Sequence, residues 1–417
     1  MKMAGTLSER ILGSAEGTYV DRMVDRAFAH DGTGAQALVA FENFRIPGKS
    51  VVNPEKLSII YDHISPANNS VTADLQGDLR KFSRENRMHF HEVGCGICHQ
   101  IMSEGVCLPG EIVVGADSHS CTLGALGAFS TGVGATDMAG IWATGGTWFR
   151  VPESIGIVLS GKLSGHAEPK DVALSYVKAL GMDGGTYKAL EFIGDGTAGM
   201  PVEGRLTLSN MAVETGAKAG LFYADELTRE HLMTYGADEK RISLQKPEDC
   251  SYESEICLDL DDIEPLLAVP HRVDNAEPVT RYSGTSIDQV FVGTCTNGRF
   301  EDLKRFADIV KGNKVAVRTI VTPASKDAYA KALSTGVLSD ILEAGCVICP
   351  PGCGPCLGAH MGVLGEGEVG LSTANRNFRN RMGVGAEYYL CSPSTAAVSA
   401  LYGEIRSPDE WDGGMTR

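Results

Sequence analysis

The sequence predicts an α/β protein, with parallel sheets covered by helices and reactive residues gathered at strand ends. In the last third, stretches of opposite character alternate: 287–293 reads as a strand, 300–310 as a helix, 314–322 as a strand, 326–333 as a helix and 346–349 as a strand. Such alternation builds a parallel sheet with helices on its faces. Glycine-bearing loops with cysteines, Cys295 in one and Cys353 with Cys356 in another, follow two of those strands. An open α/β sheet places its site there, beyond the carboxyl ends of its strands.

In chain order, 8–12 reads as a short capped helix, and 20–28 is an amphipathic stretch leading to His30. Lys56 to Tyr61 alternates as a strand and ends at Asp62-His63-Ile64-Ser65-Pro66. An Asp beside a His at a strand end suits proton transfer, because the carboxylate can hold or tune the imidazole. A plain Asp/Pro turn is the other reading. Residues 75–86 form a charged helix and 89–93 a strand, followed by Cys95, Cys98 and His99. That Cys-x-x-Cys beside a histidine raises zinc, but no second thiol pair nearby completes a four-ligand site. Glu111 to Gly115 is a buried-type strand ending in Asp117-Ser118-His119. A Ser-His-Asp hydrolase is the alternative here; adjacency in sequence is not triad geometry, and no nucleophile-elbow glycines surround Ser118.

Gly124 to Gly146 is rich in Gly, Ala and Thr. It lacks the lysine of a phosphate loop and reads as a helix packed closely against whatever the strand-end cysteines hold. Strands at 154–163 and 190–194 flank a helix at 169–180. Asn210 and Glu214 are four apart, which puts them on one face of a helix; a solvated polar face is the ordinary explanation. Residues 224–257 are charged and read as peripheral, and 268–279 has the proline and polar content of a linker. Near the end, Asn375 precedes Arg376 and Arg381. Arginine forks bind carboxylates bidentately, although an arginine cluster is ordinarily solvated surface.

At 417 residues the chain holds two or three domains. Junction-like stretches at 147–152 and 268–279 divide it into 1–150, 151–275 and 276–417. A formal net charge of −16 argues against nucleic acid or an anionic membrane as partner through bulk electrostatics. No apolar run is long enough to span a bilayer, and the opening ten residues lack the apolar core of a secretory signal. Twelve cysteines with no disulfide framework then suggest a reduced, cytoplasmic setting and metal or redox chemistry.

Three thiolates from two strand-end loops, Cys295, Cys353 and Cys356, can hold an iron–sulfur cluster and leave one iron without a protein ligand. Cluster irons are normally all ligated by cysteine, so an unligated one is open to substrate, like the open position of a catalytic zinc. A local four-thiol site of Cys346, Cys349, Cys353 and Cys356 is the alternative. Its spacing is not the ferredoxin run, and Cys346 and Cys349 have the apolar neighbours of a buried strand.

The segments Gly293-Thr294-Cys295-Thr296-Asn297-Gly298, Gly352-Cys353-Gly354-Pro355-Cys356-Leu357-Gly358 and Ser372-Thr373-Ala374-Asn375-Arg376-Asn377-Phe378 resemble the aconitase superfamily. The match runs from about Thr6 onward and is closest to the large subunits of the two-subunit branch, which contains 3-isopropylmalate dehydratase and homoaconitase. The resemblance implies an α/β three-domain body, α/β/α in its layers, around a [4Fe-4S] cluster held by Cys295, Cys353 and Cys356. It implies reversible water loss from a 2-hydroxy dicarboxylate. Isopropylmalate in leucine biosynthesis is the leading substrate, and homocitrate/homoaconitate or a methylmalate or dimethylmalate are the alternatives.

By the same resemblance Asp62, His63, His99, Asp117, His119 and Glu214 are catalytic, and His30, Ser118, Asn210, Asn375, Arg376 and Arg381 contact substrate. A separate small subunit is expected to supply the swivelling domain and the carbon base, since no domain-length stretch follows Leu401. A cluster-dependent RNA-binding regulator is a rival that the acidic charge disfavours. An electron-transfer protein is another, disfavoured by three ligands and many acid–base groups.

Overall fold

Strands covered on both faces read as continuous apolar runs rather than alternating ones. Leu57–Ile60, Ile112–Gly115 and Gln289–Val292 are buried at every position. The structure, a computed structural model, describes residues 5–46, 48–246, 250–411 and 413. It is mixed α/β and divides into two compact units. The first holds the described residues up to Ser160 together with Asp183–Leu258; the second holds Gly161–Met182 and the described residues from Asp259 onward.

In the first unit a five-stranded sheet runs in the order His89–His91, Leu57–Ile60, Arg26–His30, Ile112–Gly115, Phe129–Gly132. All its neighbours are parallel. Strand order reverses at Arg26–His30, since the next two strands in sequence lie on one side and the last two on the other. Crossovers therefore leave in opposite directions and open a crevice at the strand ends. A second sheet runs Ala219–Leu221, Ala189–Ile193, Ser154–Ser160, Ser254–Asp259, and Tyr19–Met23 pairs antiparallel with Gly146–Arg150. Behind the five-stranded sheet, Trp142 packs edge-on to Phe41 and against Phe82 in one core cluster.

The second unit holds a seven-stranded sheet in the order Ala276–Pro278, Leu266–Ala268, Glu387–Leu390, Val369–Ser372, Gln289–Val292, Arg318–Val321, Val347–Ile348. The last five are mutually parallel, and order reverses between Val369–Ser372 and Gln289–Val292. Helix Phe300–Val310 turns Leu303, Phe306, Ala307 and Val310 inward. This three-and-four spacing makes one apolar stripe.

Several elements differ from the sequence reading. The stretch read as a linker at 268–279 contributes to an antiparallel hairpin, Leu266–Ala268 with Ala276–Pro278, that adds to the sheet edge through Ala268 and Leu390. Its Asp274-Asn275 pair is turn chemistry, and the flanking strands, three residues each, are too short to show a period. Gly124 to Gly146 is not one helix. It contains the end of a 3-10 turn, the strand Phe129–Gly132 and the helix Ala135–Thr144. Gly124 is required there: a Cβ would lie 2.0 Å from the Gly220 carbonyl oxygen. Hairpin 266–278 and segment 161–182 both sit with the third stretch of chain, so the compact units do not follow the expected chain order of domains.

The second unit buries charge. Glu168 is 3% exposed and precedes helix Pro169–Leu180; it accepts the Ser394 N–H at 2.8 Å and lies 3.4 Å from the Arg305 guanidinium. Burial outweighs both partners and pushes its carboxyl up to about 7. A carboxyl raised on folding binds more protons folded than unfolded between its two pKa values, so stability falls as pH rises across that window. Between pH 4.5 and about 7, Glu168 should therefore contribute a falling limb on the order of 3 kcal/mol to the stability profile. Urea titrations at half-unit pH steps should show that limb flattened in Glu168→Gln.

Candidate functional site

Four of the five strands in the first unit's parallel sheet end in, or lead directly to, a polar side chain. His30 and His91 are the last residues of their strands. Asp62 and His63 follow Leu57–Ile60, and Asp117 follows Ile112–Gly115. Register aligns these ends, His30 opposite Ile60 and Ile60 opposite His91. The sheet itself thus assembles residues far apart in sequence.

Asp117 is the hub. Its Oδ1 lies 3.1 Å from His99 Nε2 and 3.8 Å from His119 Nδ1, and its Oδ2 lies 3.5 Å from His63 Nε2 and 3.7 Å from His30 Nε2. It also accepts the His119 N–H at 2.7 Å. Burial works to raise its carboxyl; His99, His119 and His63 overcome that and hold it well below the usual carboxylate range. The rings of His30 and His63 stack at 3.7 Å. His30 Nδ1 accepts the Gly32 N–H and caps the helix Asp31–Asn43, so the proton of the neutral ring is on Nε2.

His63 Nδ1 bonds Asp62 Oδ1 at 2.6 Å, and Asp62 Oδ2 accepts the N–H of Cys98 at 2.7 Å. Cys98 therefore anchors the Asp–His pair through its backbone. His119 bonds Glu214 Oε1 through Nε2 at 2.9 Å, while Nδ1 is 3.3 Å from Ser118 Oγ. A Ser–His–acid chain does exist, but its acid is Glu214 rather than the adjacent Asp117. Asn210 and Glu214 are both buried, not a surface face; helix Val202–Met211 ends between them and Glu214 lies in the 3-10 turn Ala212–Thr215. Asn210 donates to Thr122 Oγ1 at 2.8 Å.

In the second unit, Cys295 sits in a single helical turn, Thr294–Asn297, just past Gln289–Val292. Cys353 caps a 3-10 turn at Gly354–Leu357, and Cys356 lies within it. Both loops lean on the end of strand Arg318–Val321. Ala324 N–H donates to the Gly298 carbonyl, and Gly352 N–H donates to that of Pro323. Gly293 has φ +156°, and a Cβ there would meet the Thr322 carbonyl oxygen at 2.6 Å, so only glycine allows this approach. Thr294 is held at φ +76°, a strained conformation for a β-branched residue.

The residues fit an iron–sulfur group. Cys295, Cys353 and Cys356 are 7%, 6% and 9% exposed. The Asn375 amide nitrogen lies 3.5 Å from Cys295 Sγ, and its oxygen 4.0 Å from Cys356 Sγ. Arg381 Nη2 is 3.9 Å from Cys356 Sγ, and its Nε is buried without a hydrogen-bond partner. Donors beside cluster sulfurs tune a bound cluster. Arg376 is partly buried on the same segment. Cys346, of the alternative four-thiol set, is instead buried in the apolar core, where burial pushes its thiol up to about 12.

Asp31 escaped the sequence reading. Its carboxylate accepts the N–H groups of Asp62, His63 and Ile64 at 3.4, 3.0 and 2.7 Å, and the Gln76 amide at 3.2 Å. Asp31 with His30, Asp62 and His63 is, among the described residues, the one set close enough to share a single cation. Those hydrogen bonds already occupy both Asp31 oxygens. The available signal was an acid immediately after His30, at a helix start.

Acid–base groups gather at one switch point and buried thiols at another, each within its own unit. The family described as "Aconitase family (aconitate hydratase)" matches residues 6–284 and 276–403. The chain is 51% identical over 387 residues, 92% of its length and 98% of the relative's, to a probable methanogen homoaconitase large subunit of Methanosarcina mazei. It is 46% identical to 3-isopropylmalate dehydratase large subunit 1 of Thermotoga maritima, covering 97% and 99% of the two chains. The structure superposes on aconitase X of Thermococcus kodakaraensis with a TM-score of 0.52 over 85% of this chain and 84% of that one, at 13% identity, a likeness of fold. The chain belongs to the aconitase family.

Asp31→Ala should cost on the order of 3 kcal/mol at neutral pH, because three main-chain donors lose their acceptor. Burial would raise this carboxyl, but His30 and His63 hold it well below its ordinary value. The advantage of wild type over the variant should therefore be full above pH 4 and shrink as pH falls below it, roughly the unfolded value. Urea midpoints at pH 7 and pH 3 test both size and sign; an advantage undiminished at pH 3 contradicts the assignment.

Proposed function

We propose that this chain is the large subunit of a cytoplasmic, heteromeric [4Fe-4S] dehydratase. It acts on 2-hydroxy acids that share a malate core, isopropylmalate first and homocitrate or homoaconitate as the alternative. The observation that carries this reading is Asn375, whose one buried amide reaches sulfurs from both loops, Cys295 and Cys356. Cys295, Cys353 and Cys356 would hold the cluster. When bound, a cluster with three thiolate ligands leaves one iron open and supplies Lewis-acid polarisation of a hydroxyl and its neighbouring carboxylate. The division into domains 1–150, 151–275 and 276–417 is kept as part of this reading, with the hairpin Leu266–Ala268/Ala276–Pro278 joined to the sheet of the third.

The chain's own residues do the rest. His63, oriented through Nδ1 by Asp62, is the acid that delivers a proton from Nε2 to the departing hydroxyl; the carboxylate fixes its ring orientation. Asp117 holds His99 and His119 in register. Glu214 sets His119 from the opposite ring nitrogen and, with it, orients the water returned in the reverse direction. His30, Ser118 and Asn210 contact substrate polar groups. Arg376 and Arg381 hold substrate carboxylates as forks. The base that removes the carbon-bound proton comes from a small subunit. Relatives named as large subunits at 44–51% identity support that partner.

Serine replacement at each of the twelve cysteines, followed by anaerobic reconstitution, should abolish the cluster spectrum only at Cys295, Cys353 and Cys356. Loss at Cys346 or Cys98 with retention at Cys295 overturns the ligand set. The loaded chain alone should turn over neither isopropylmalate nor homocitrate measurably. Addition of the small subunit should restore the rate with one of them, whereas robust turnover without a partner refutes the two-subunit reading.

A further inference from the structure

We propose that Lys170, in the helix Pro169–Leu180, is a positioning residue for the cluster site: its ammonium clasps the loop that carries Asn375 and sets a positive charge behind the thiolates. This rests on the cluster assignment above. Lys170 is wholly buried, 0% exposed. Its Nζ donates to the carbonyls of Thr373 at 2.9 Å and Ala374 at 2.6 Å, the two residues before Asn375. Thr373 Oγ1 in turn accepts the Gly293 N–H at 3.0 Å and donates to the Gly293 carbonyl at 3.1 Å. One cation thus ties the Asn375 loop, and through Thr373 the Cys295 loop, to a helix some 200 residues earlier in the chain.

A second buried cation repeats the arrangement. Arg299, 3% exposed, donates to the carbonyls of Thr296 and Cys295, each at 2.6 Å, and so braces the turn strained at Thr294.

The charge is as informative as the hydrogen bonds. A buried ammonium is costly unless an anion offsets it. Among the described residues no carboxylate forms an ion pair within 4.0 Å of Lys170, and its hydrogen bonds go to neutral carbonyls. Burial pulls its ammonium down to about 8, partly opposed by the thiol sites at Cys391 and Cys295 and by Asp171 and Asp302. Asp171 itself is pushed well up by burial, which weakens it as a counter-charge. Three thiolates around an iron–sulfur cluster supply the missing negative charge. Lys170 then stabilises the loaded protein more than the cluster-free one, which a merely structural lysine would not do.

The test compares wild type, Lys170→Met, Lys170→Gln and Lys170→Arg, each reconstituted anaerobically and also kept cluster-free. The readouts are the melting temperature of both forms and the rate of iron loss to a ferrous chelator. Cluster-free Lys170→Met should fold and melt close to wild type. Its gain in melting temperature on loading should shrink, and iron should leave about ten-fold faster or more, the effect expected of partners behind metal ligands. Lys170→Gln, which keeps N–H donors and drops the charge, should lose iron similarly fast, and Lys170→Arg should recover most of the retention. Wild-type iron retention in both neutral variants, or a methionine variant that cannot fold cluster-free, overturns the proposal. A wild-type protein that takes up no cluster would instead overturn the functional reading on which it rests.

Discussion

A parallel sheet whose strand order reverses cannot cover the ends of its two central strands, because the connections on either side leave in opposite directions. That constraint acts in both units of this chain. In one it leaves His30 and Asp117 side by side, after Arg26–His30 and Ile112–Gly115. In the other it leaves Cys295 and Asn375 together, after Gln289–Val292 and Val369–Ser372. Asp117 and its histidines gather at the first opening, and Cys295 and Asn375 at the second.

The openings are filled by charge that the interior would otherwise reject. Asp117 remains a carboxylate under deep burial because imidazoles surround it. Asp31 does so because His30 and His63 stand beside it and three main-chain N–H groups converge on it. Lys170 and Arg299 are held by carbonyls in the cysteine-bearing unit. Buried charges persist only where partners offset desolvation. These four therefore mark where the fold has been shaped around ionic chemistry rather than apolar packing; Asp171, whose two main-chain N–H partners do not outweigh burial, is instead pushed toward its neutral form.

Much of this was legible locally. The alternation from 287 to 349 yields its strands and helices within a few residues, and helix Pro169–Leu180 falls where the pattern puts it. Asp62-His63 is adjacent in sequence and bonded in space. The failures are also physical. The strands Leu266–Ala268 and Ala276–Pro278 are too short to carry a period, so their turn residues looked like a linker. Strand Phe129–Gly132 hides in a Gly- and Thr-rich run because, like the strand it pairs with, it is nearly all buried.

By itself the sequence determined the α/β class, the thiol loops and the family, because each is written in short motifs whose chemistry follows from spacing. Only the tertiary structure decided which groups share a proton or a charge. The choice of Glu214 over Asp117 as the acid bonded to the His119 ring spans 95 positions, and the clasp of Lys170 on the Asn375 loop spans 203. The reason is that hydrogen bonds and burial act over about 3 Å of space, and no sequence period encodes which distant loops a reversed strand order will bring within that reach.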